Sequence, residues 1–170
     1  LYDSIGRLTT KQYVDYPTGE SFGSGSIKES HTLGYDKNGY IIWETIENSY
    51  EQHSTTSKQY VYDTVGRLTN TTESVTGQNT KNTSYTYDNV GNRIGMVKDG
   101  KSYSYAYNSL DQLTSITESG RQVGLYTYDA RGNQIKEVSE HLKITINGVE
   151  RIDNKVTEYS YDLRNHLTSS

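Results

Sequence analysis

The chain contains no cysteine, so disulfides and thiolate metal sites are both excluded. It has one proline, Pro17, and one each of phenylalanine, tryptophan and methionine. Only 31% of its 170 residues are hydrophobic, which leaves a conventional globular core poorly supplied. No apolar run approaches the length of a membrane span. No basic block runs longer than two residues and the formal net charge is −4, so the footprint of a nucleic-acid-binding surface is missing. There is no signal-peptide pattern, and position 1 is Leu rather than Met. The 170 residues therefore read as one segment of a larger protein.

What the chain has in quantity is tyrosine, 17 residues of it. Each brings a large apolar ring with one polar tip, which suits a sheet better than a thick core. Thr, Ile and Val are also plentiful, and that composition favours order over disorder. Six tyrosines are followed directly by aspartate: Tyr2-Asp3, Tyr35-Asp36, Tyr62-Asp63, Tyr87-Asp88, Tyr128-Asp129 and Tyr161-Asp162. Random placement would give roughly one such pair, so the excess marks an internal repeat. Tyr107-Asn108 is a seventh, degenerate copy. Successive copies lie 33, 27, 25, 20, 21 and 33 residues apart, which predicts a constant turn joined by excursions of variable length.

Gly6, Gly39, Gly66, Gly91 and Gly132 each follow their aspartate by three residues. Asp111 and Asn165 hold that place in the other two copies, and both residue types tolerate left-handed backbone. Aspartate followed three residues later by glycine is turn chemistry. The carboxylate accepts backbone N–H groups, and the glycine takes the left-handed conformation after a type I turn. Such a turn joins antiparallel strands, with a bulge expected at the glycine. An apolar residue follows each turn: Leu8, Ile41, Leu68, Ile94, Leu113, Ile135 and Leu167. Upstream, tyrosines alternate at Tyr60/Tyr62, Tyr85/Tyr87, Tyr103/Tyr105/Tyr107, Tyr126/Tyr128 and Tyr159/Tyr161. A period of two puts these rings on one face of a strand. Asp99-Gly100, Ser119-Gly120 and Asn147-Gly148 predict hairpins at the opposite strand ends. The expected architecture is all-β: tandem antiparallel hairpins in a long, curved, twisted sheet, about a dozen strands of five to nine residues. The loop around Pro17 reads as the most flexible stretch.

These residues closely resemble the YD repeat, or RHS repeat. "YDSIGRL" (2–8) and "YDTVGRL" (62–68) match one form of it, and "YDNVGNRI" (87–94) and "YDARGNQI" (128–135) the other. The match runs from Tyr2 to Leu167, so residues 1–170 are taken as a single repeat segment of about seven copies. The resemblance implies a bacterial wall-associated or Rhs-type polymorphic toxin, a secreted or cell-surface location, and kinship with the shell repeats of teneurins. It implies an open section of a β-shell around a C-terminal toxic domain, with the rest of the parent chain as partner. The D-P-x-G-type self-cleavage motif of family toxins is missing, because the one proline follows Tyr16. Seven copies are too few to close a shell.

Function is expected to lie in architecture rather than catalysis. The motif Tyr, Asp and Gly residues would set strand pairing and turn geometry. No cofactor is implied. The aspartates lack the spacing of a calcium loop. His31, His53, His141 and His166 show no paired metal-ligand spacing. Glu44 with Glu47, and Glu137 with Glu140, are close in sequence without defining a cleft, and no nucleophile elbow occurs. Arg7, Arg67 and Arg93 are expected to pair with repeat acids. The alternative function is carbohydrate or surface-ligand binding through a tyrosine-lined face, with Tyr40, Trp43 and Tyr50 as candidates. Exposed strand edges predict edge-to-edge self-association.

Overall fold

The structure is a computed structural model. It describes residues 1–16, 25–49, 53–146 and 149–169, and side chains throughout these except at 140–153. The Pro17 loop and the Asn147-Gly148 turn thus lie outside the described residues. Fourteen strands appear among the described residues and no helix. They are β1 (Thr10–Asp15), β2 (Ser26–Tyr35), β3 (Ile41–Asn48), β4 (Ser54–Tyr62), β5 (Leu68–Val75), β6 (Lys81–Tyr87) and β7 (Arg93–Lys98). There follow β8 (Lys101–Tyr107), β9 (Leu113–Glu118), β10 (Arg121–Tyr128), β11 (Gln134–Ile146), β12 (Val149–Glu158), β13 (Ser160–Tyr161) and β14 (Leu167–Ser169). The first twelve form one antiparallel sheet in chain order, and β13 and β14 form a two-stranded one. Several strands exceed the expected five to nine residues; β11 has 13. The chain divides into two compact units, residues 1–84 and 85–170.

In the first unit the register fixes the faces. Glu44, Lys58 and Glu73 stand opposite one another on β3, β4 and β5, and the next residue along places Trp43, Gln59 and Thr72 on the reverse face. Tyr60 and Tyr62 share the first of these faces, opposite Thr71 and Leu68. In the second unit Tyr103, Tyr105 and Tyr107 of β8 face Glu118, Ile116 and Leu113 of β9. The Tyr rings are half-buried, whereas the intervening Val61, Thr86, Ser104, Ala106, Thr127 and Ser160 are exposed. The predicted two-residue alternation is therefore real, with the rings on one face.

No apolar side chain among the described residues is buried, and Thr83, 8% exposed, is the one polar residue that is. Among the described residues there is no interior in the usual sense. Cohesion comes from ladder hydrogen bonds and from cross-strand pairs, each contributing roughly 0.2–1 kcal/mol. At the far hairpin ends, Asp99-Gly100 and Ser119-Gly120 both have positive φ at each residue (52° and 75°, 49° and 85°), as a two-residue type I′ turn requires.

The expected bulge is present at the motif glycine: its N–H donates to the Asp carbonyl while the Asp N–H donates to the carbonyl of the residue after the glycine, and its φ is positive; a second bulge lies further along. The register shifts opposite the motif tyrosine, between Gly34 and Tyr35, Val61 and Tyr62, Ala106 and Tyr107, Thr127 and Tyr128, and Ser160 and Tyr161. Val61 pairs with Asn70 and Tyr62 with Leu68, so the extra residue is Thr69 on the outgoing strand. Where that residue is threonine, its hydroxyl donates back across the bulge: Thr69 to the Val61 carbonyl (3.1 Å), Thr114 to Ala106 (3.1 Å) and Thr168 to Ser160 (2.9 Å).

Candidate functional site

The repeated turn has the same wiring in all seven copies. In the first, Gly6 N–H donates to the Asp3 carbonyl (3.1 Å) and Asp3 N–H to the Arg7 carbonyl (2.9 Å). Asp3 Oδ1 accepts the N–H groups of Ile5 (3.0 Å) and Arg7 (2.9 Å). The same carboxylate or amide oxygen bonds recur at Asp36, Asp63, Asp88, Asn108, Asp129 and Asp162. The fourth residue has positive φ throughout, from 84° to 105° at the five glycines, and 58° and 63° at Asp111 and Asn165. An acceptor oxygen and a left-handed residue are therefore the chemical requirements, and Asn108 meets the first as well as aspartate does. In Asp3 and Asp63 the backbone N–H and then the guanidinium of Arg7 or Arg67 hold the carboxyl below the ordinary carboxylate range. Asp129 is lowered first by the Asn133 amide.

In five copies the motif tyrosine ties its turn to the one before it. Its hydroxyl donates to the backbone carbonyl of the residue five past the preceding Asp or Asn. These bonds are Tyr35 to Leu8 (2.6 Å), Tyr62 to Ile41 (2.9 Å), Tyr107 to Arg93 (3.0 Å), Tyr128 to Leu113 (2.9 Å) and Tyr161 to Gln134 (3.0 Å). A buried carbonyl beside a bulge needs a partner, and the hydroxyl supplies it. The residue after the turn's fourth position adds a second tie. Arg7 bonds Asp3 (2.7 Å) and the Asp36 carbonyl (3.0 Å), while its guanidinium covers the Tyr35 ring. Asn92 bridges Asp88 and Asp111, Asn133 bridges Asp129 and Asn165, and Gln112 reaches the Gly132 carbonyl. Tyr40 uses its ring instead, stacking on Tyr62 at 5.0 Å with its hydroxyl against Gly66.

Arg7 and Arg67 thus pair with repeat acids as the spacing suggests, both at 2.7 Å. Arg93 does not. In "YDNVGNR" the arginine sits one place later, so Asn92 takes the turn and Arg93 lies over the rings of Tyr105 (4.5 Å) and Tyr85 (5.8 Å). It occupies the slot held by Leu8, Ile41, Leu68, Leu113 and Leu167 in other copies.

The tyrosine face of the first unit also carries a charged cluster. His31 Nε2 lies 2.7 Å from Glu29 Oε1 and its Nδ1 lies 3.0 Å from Glu44 Oε1. Glu44 also accepts the Tyr60 hydroxyl (3.3 Å) and faces Lys58 Nζ (3.7 Å). With a carboxylate at each ring nitrogen, the imidazolium is favoured, and the Glu44 and Glu29 hydrogen bonds raise His31 above its ordinary value. Burial pushes Glu44 up, but the His31 bond and the Lys58 charge outweigh it and the carboxyl is lowered. Burial and the same carboxylate push Tyr60 up to about 12. An open cavity of about 510 Å³ lies here, floored by Leu8, Leu33 and Ile41. A second, of about 730 Å³, lies between the turns of Asp36 and Asp63. Among the described residues no group of His, Asp or Glu side chains could hold a metal ion. Sequence reading missed the His31 cluster, because its members are dispersed along β2, β3 and β4 and meet only through the register.

The three aromatic candidates for ligand binding are not brought together. Tyr40 stacks on Tyr62 on the tyrosine side, whereas Trp43 lies on the reverse face over Gly34, and Tyr50 lies outside the described residues. Glu44 and Glu47 point to opposite faces. His166 pairs with Asp162 (3.2 Å), and His53 has a left-handed backbone (φ 46°). The side chains of Glu140 and His141 lie outside the described ones.

An antiparallel sheet of one repeated turn, locked in five copies to the preceding copy by a tyrosine hydroxyl, defines a β-repeat scaffold. The family model described as Teneurin YD-shell matches residues 21–168, and the chain belongs to that family of YD/RHS repeats. It is 31% identical over 121 residues to the tRNA3(Ser)-specific nuclease WapA of Bacillus spizizenii, covering 70% of this chain and 5% of that protein. It is 32% identical over 140 residues to the tRNA nuclease WapA of Bacillus subtilis, covering 80% of this chain and 5% of that protein. Among solved structures, one chain of the crystal structure of TcdB2-TccC3-Cdc42 shares the fold, with a TM-score of 0.69, 18% identity and coverage of 98% of this chain and 8% of that one. The chain thus spans about a twentieth of the curated relatives it matches.

Proposed function

We propose that this chain is a section of the β-repeat wall of a secreted or cell-surface bacterial toxin-type protein, and that the wall encloses a C-terminal toxic domain of the parent. The observation that carries this reading is the recurrence of one turn seven times, with its hydroxyl lock in five of the copies. Chemistry needs a singular place, where groups converge; this chain repeats one structural unit and spends its motif residues on backbone geometry. The family assignment and the WapA relatives, named as tRNA nucleases, support a toxin-type parent. Because the match spans 5% of those proteins, the nuclease activity in their names is assigned to other parts of such a chain, and this segment supplies wall.

Limited proteolysis of the parent, with and without residues 1–170, tests the proposal. Protection of the C-terminal domain should depend on the segment. Equal cleavage of that domain in both forms would reject enclosure by these repeats.

A further inference from the structure

The turn at Asp36 lacks a partner that the other turns have. In six copies the residue four past the turn's Asp or Asn meets the second polar atom of that side chain. These residues are Arg7, Arg67, Asn92, Gln112, Asn133 and His166, at 2.7 to 3.2 Å. In the copy of Asp36 the same place is held by Tyr40, whose ring leans onto Tyr62 with its hydroxyl against Gly66. Asp36 Oδ1 still accepts the N–H groups of Asn38 and Tyr40 (both 2.9 Å), so the turn is intact. Asp36 Oδ2 receives no side-chain donor among the described residues. Asp36 is half-buried and borders the open cavity of about 730 Å³ between its turn and that of Asp63. Burial and then the Asp36 charge push the Tyr62 hydroxyl up, which sets that charge beside the ring wall of the cavity. The other carboxylate of the cavity, Asp63, is already paired with Arg67 at 2.7 Å.

We propose that this cavity binds the guanidinium group of an arginine, free or within another polypeptide segment, with an N–H on Asp36 Oδ2 and its plane against the Tyr40 ring. The chain carries its own template for that arrangement. Arg7 sets the same group on Asp3 Oδ2 (2.7 Å) and over the Tyr35 ring at 4.7 Å. Tyr40 stacks on Tyr62 through one face and is 37% exposed, which leaves its other face for a ligand. Guanidinium suits the site better than ammonium does, because it is planar, weakly hydrated and stacks on a ring while donating in its own plane. A neutral or acidic group would leave the carboxylate without a counter-charge. The site is independent of enclosure, since it is built from two turns of this chain alone.

The test is an NMR titration of the isotope-labelled 170-residue chain with N-acetyl-arginine methylamide. The citrulline analogue, alike in shape and uncharged, is the comparison. Saturable amide shifts are expected at Asn38, Tyr40, Val65 and Gly66 with the arginine compound alone. Asp36→Asn keeps the turn, as Asn108 does in its own copy, and should weaken binding roughly tenfold because the hydrogen bond loses its charge. Tyr40→Arg puts a guanidinium of the chain itself into the slot and should block the compound. Free L-arginine and a doubly blocked Gly-Gly-Arg-Gly-Gly peptide are titrated in parallel, and the tighter of the two tells a small-molecule source from a polypeptide one. No saturable shift with any arginine compound, equal shifts with the citrulline analogue, or undiminished binding in either variant overturns the proposal.

Discussion

At the residue scale, the motif positions differ in what they require. The glycine position requires a left-handed backbone, and the values near 60° at Asp111 and Asn165 are less extreme than the 84–105° of the glycines. Gly39 has open space where a Cβ would go, whereas a Cβ on Gly66 would meet the Tyr40 hydroxyl. Gly39→Ala should therefore cost about 1 kcal/mol, from backbone strain alone. Gly66→Ala should cost more, because Tyr40 must also leave its stack on Tyr62; urea unfolding of the two variants checks the order. Asp63→Ala should be destabilising as well, since it strips the Val65 and Arg67 N–H groups and the Arg67 guanidinium of their acceptor. Retention of full thermal stability in that variant would contradict the turn assignment. The turn itself was legible from residue order, because acceptor oxygen and left-handed residue are local requirements. The tyrosine hydroxyl lock was not, because its acceptor is a backbone carbonyl 14 to 27 residues away, and backbone groups look alike in a sequence.

At the element scale, β2 and β3 are clasped by His31 between Glu29 and Glu44. Groups from the flanking strands face the clasp too: Lys11 and Tyr13 from β1, Lys58 and Tyr60 from β4. The raised His31 contributes stability that is fully present below its unfolded value of 6.5 and is lost as pH rises through its higher folded value. The lowered Glu44 contributes stability present above its unfolded value of 4.5 and lost as pH falls through its lower folded one. The clasp should therefore be tightest in mildly acidic solution. NMR titration of the imidazole should place His31 above 6.5, and Glu44→Gln should bring it back toward that value. A wild-type His31 that titrates at or below 6.5 would remove the clasp. Strand positions and the far hairpin turns could be read from alternation and from Asp99-Gly100 and Ser119-Gly120. The glycine bulge could be read from the turn motif, but the second bulge could not be placed, since its extra residue, Thr69 or Thr114, is set by how two strands align rather than by its own neighbours.

At the scale of the whole molecule, twelve strands in chain order leave β1 and β12 at the two ends of the sheet order. Edge strands carry backbone donors and acceptors that recruit other chains. The isolated segment should self-associate as its concentration rises, which sedimentation velocity can follow; a sharp monomer at the highest concentrations would show that the edges are blocked. That the protein is a repeat scaffold was legible from six Tyr-Asp pairs, and the lack of a buried apolar core among the described residues follows from a composition that is 31% hydrophobic. The placement of Trp43 and Tyr40 on opposite sides was beyond the sequence, because Tyr40 lies in the turn and Trp43 past the bulge, where simple alternation no longer counts.

The structural unit is a turn plus a hydroxyl lock onto the preceding copy, and the chain contains its own control. Tyr128 donates to Leu113 of the copy before it, whereas Tyr2, in the same motif position, is 71% exposed and has no copy before it within the 170 residues. Equilibrium urea unfolding of Tyr128→Phe and Tyr2→Phe compares them directly. The lock predicts a loss of about 1 kcal/mol at Tyr128 and a change of no more than a few tenths at Tyr2. Equal effects at the two positions would mean that the hydroxyls do not hold successive copies together.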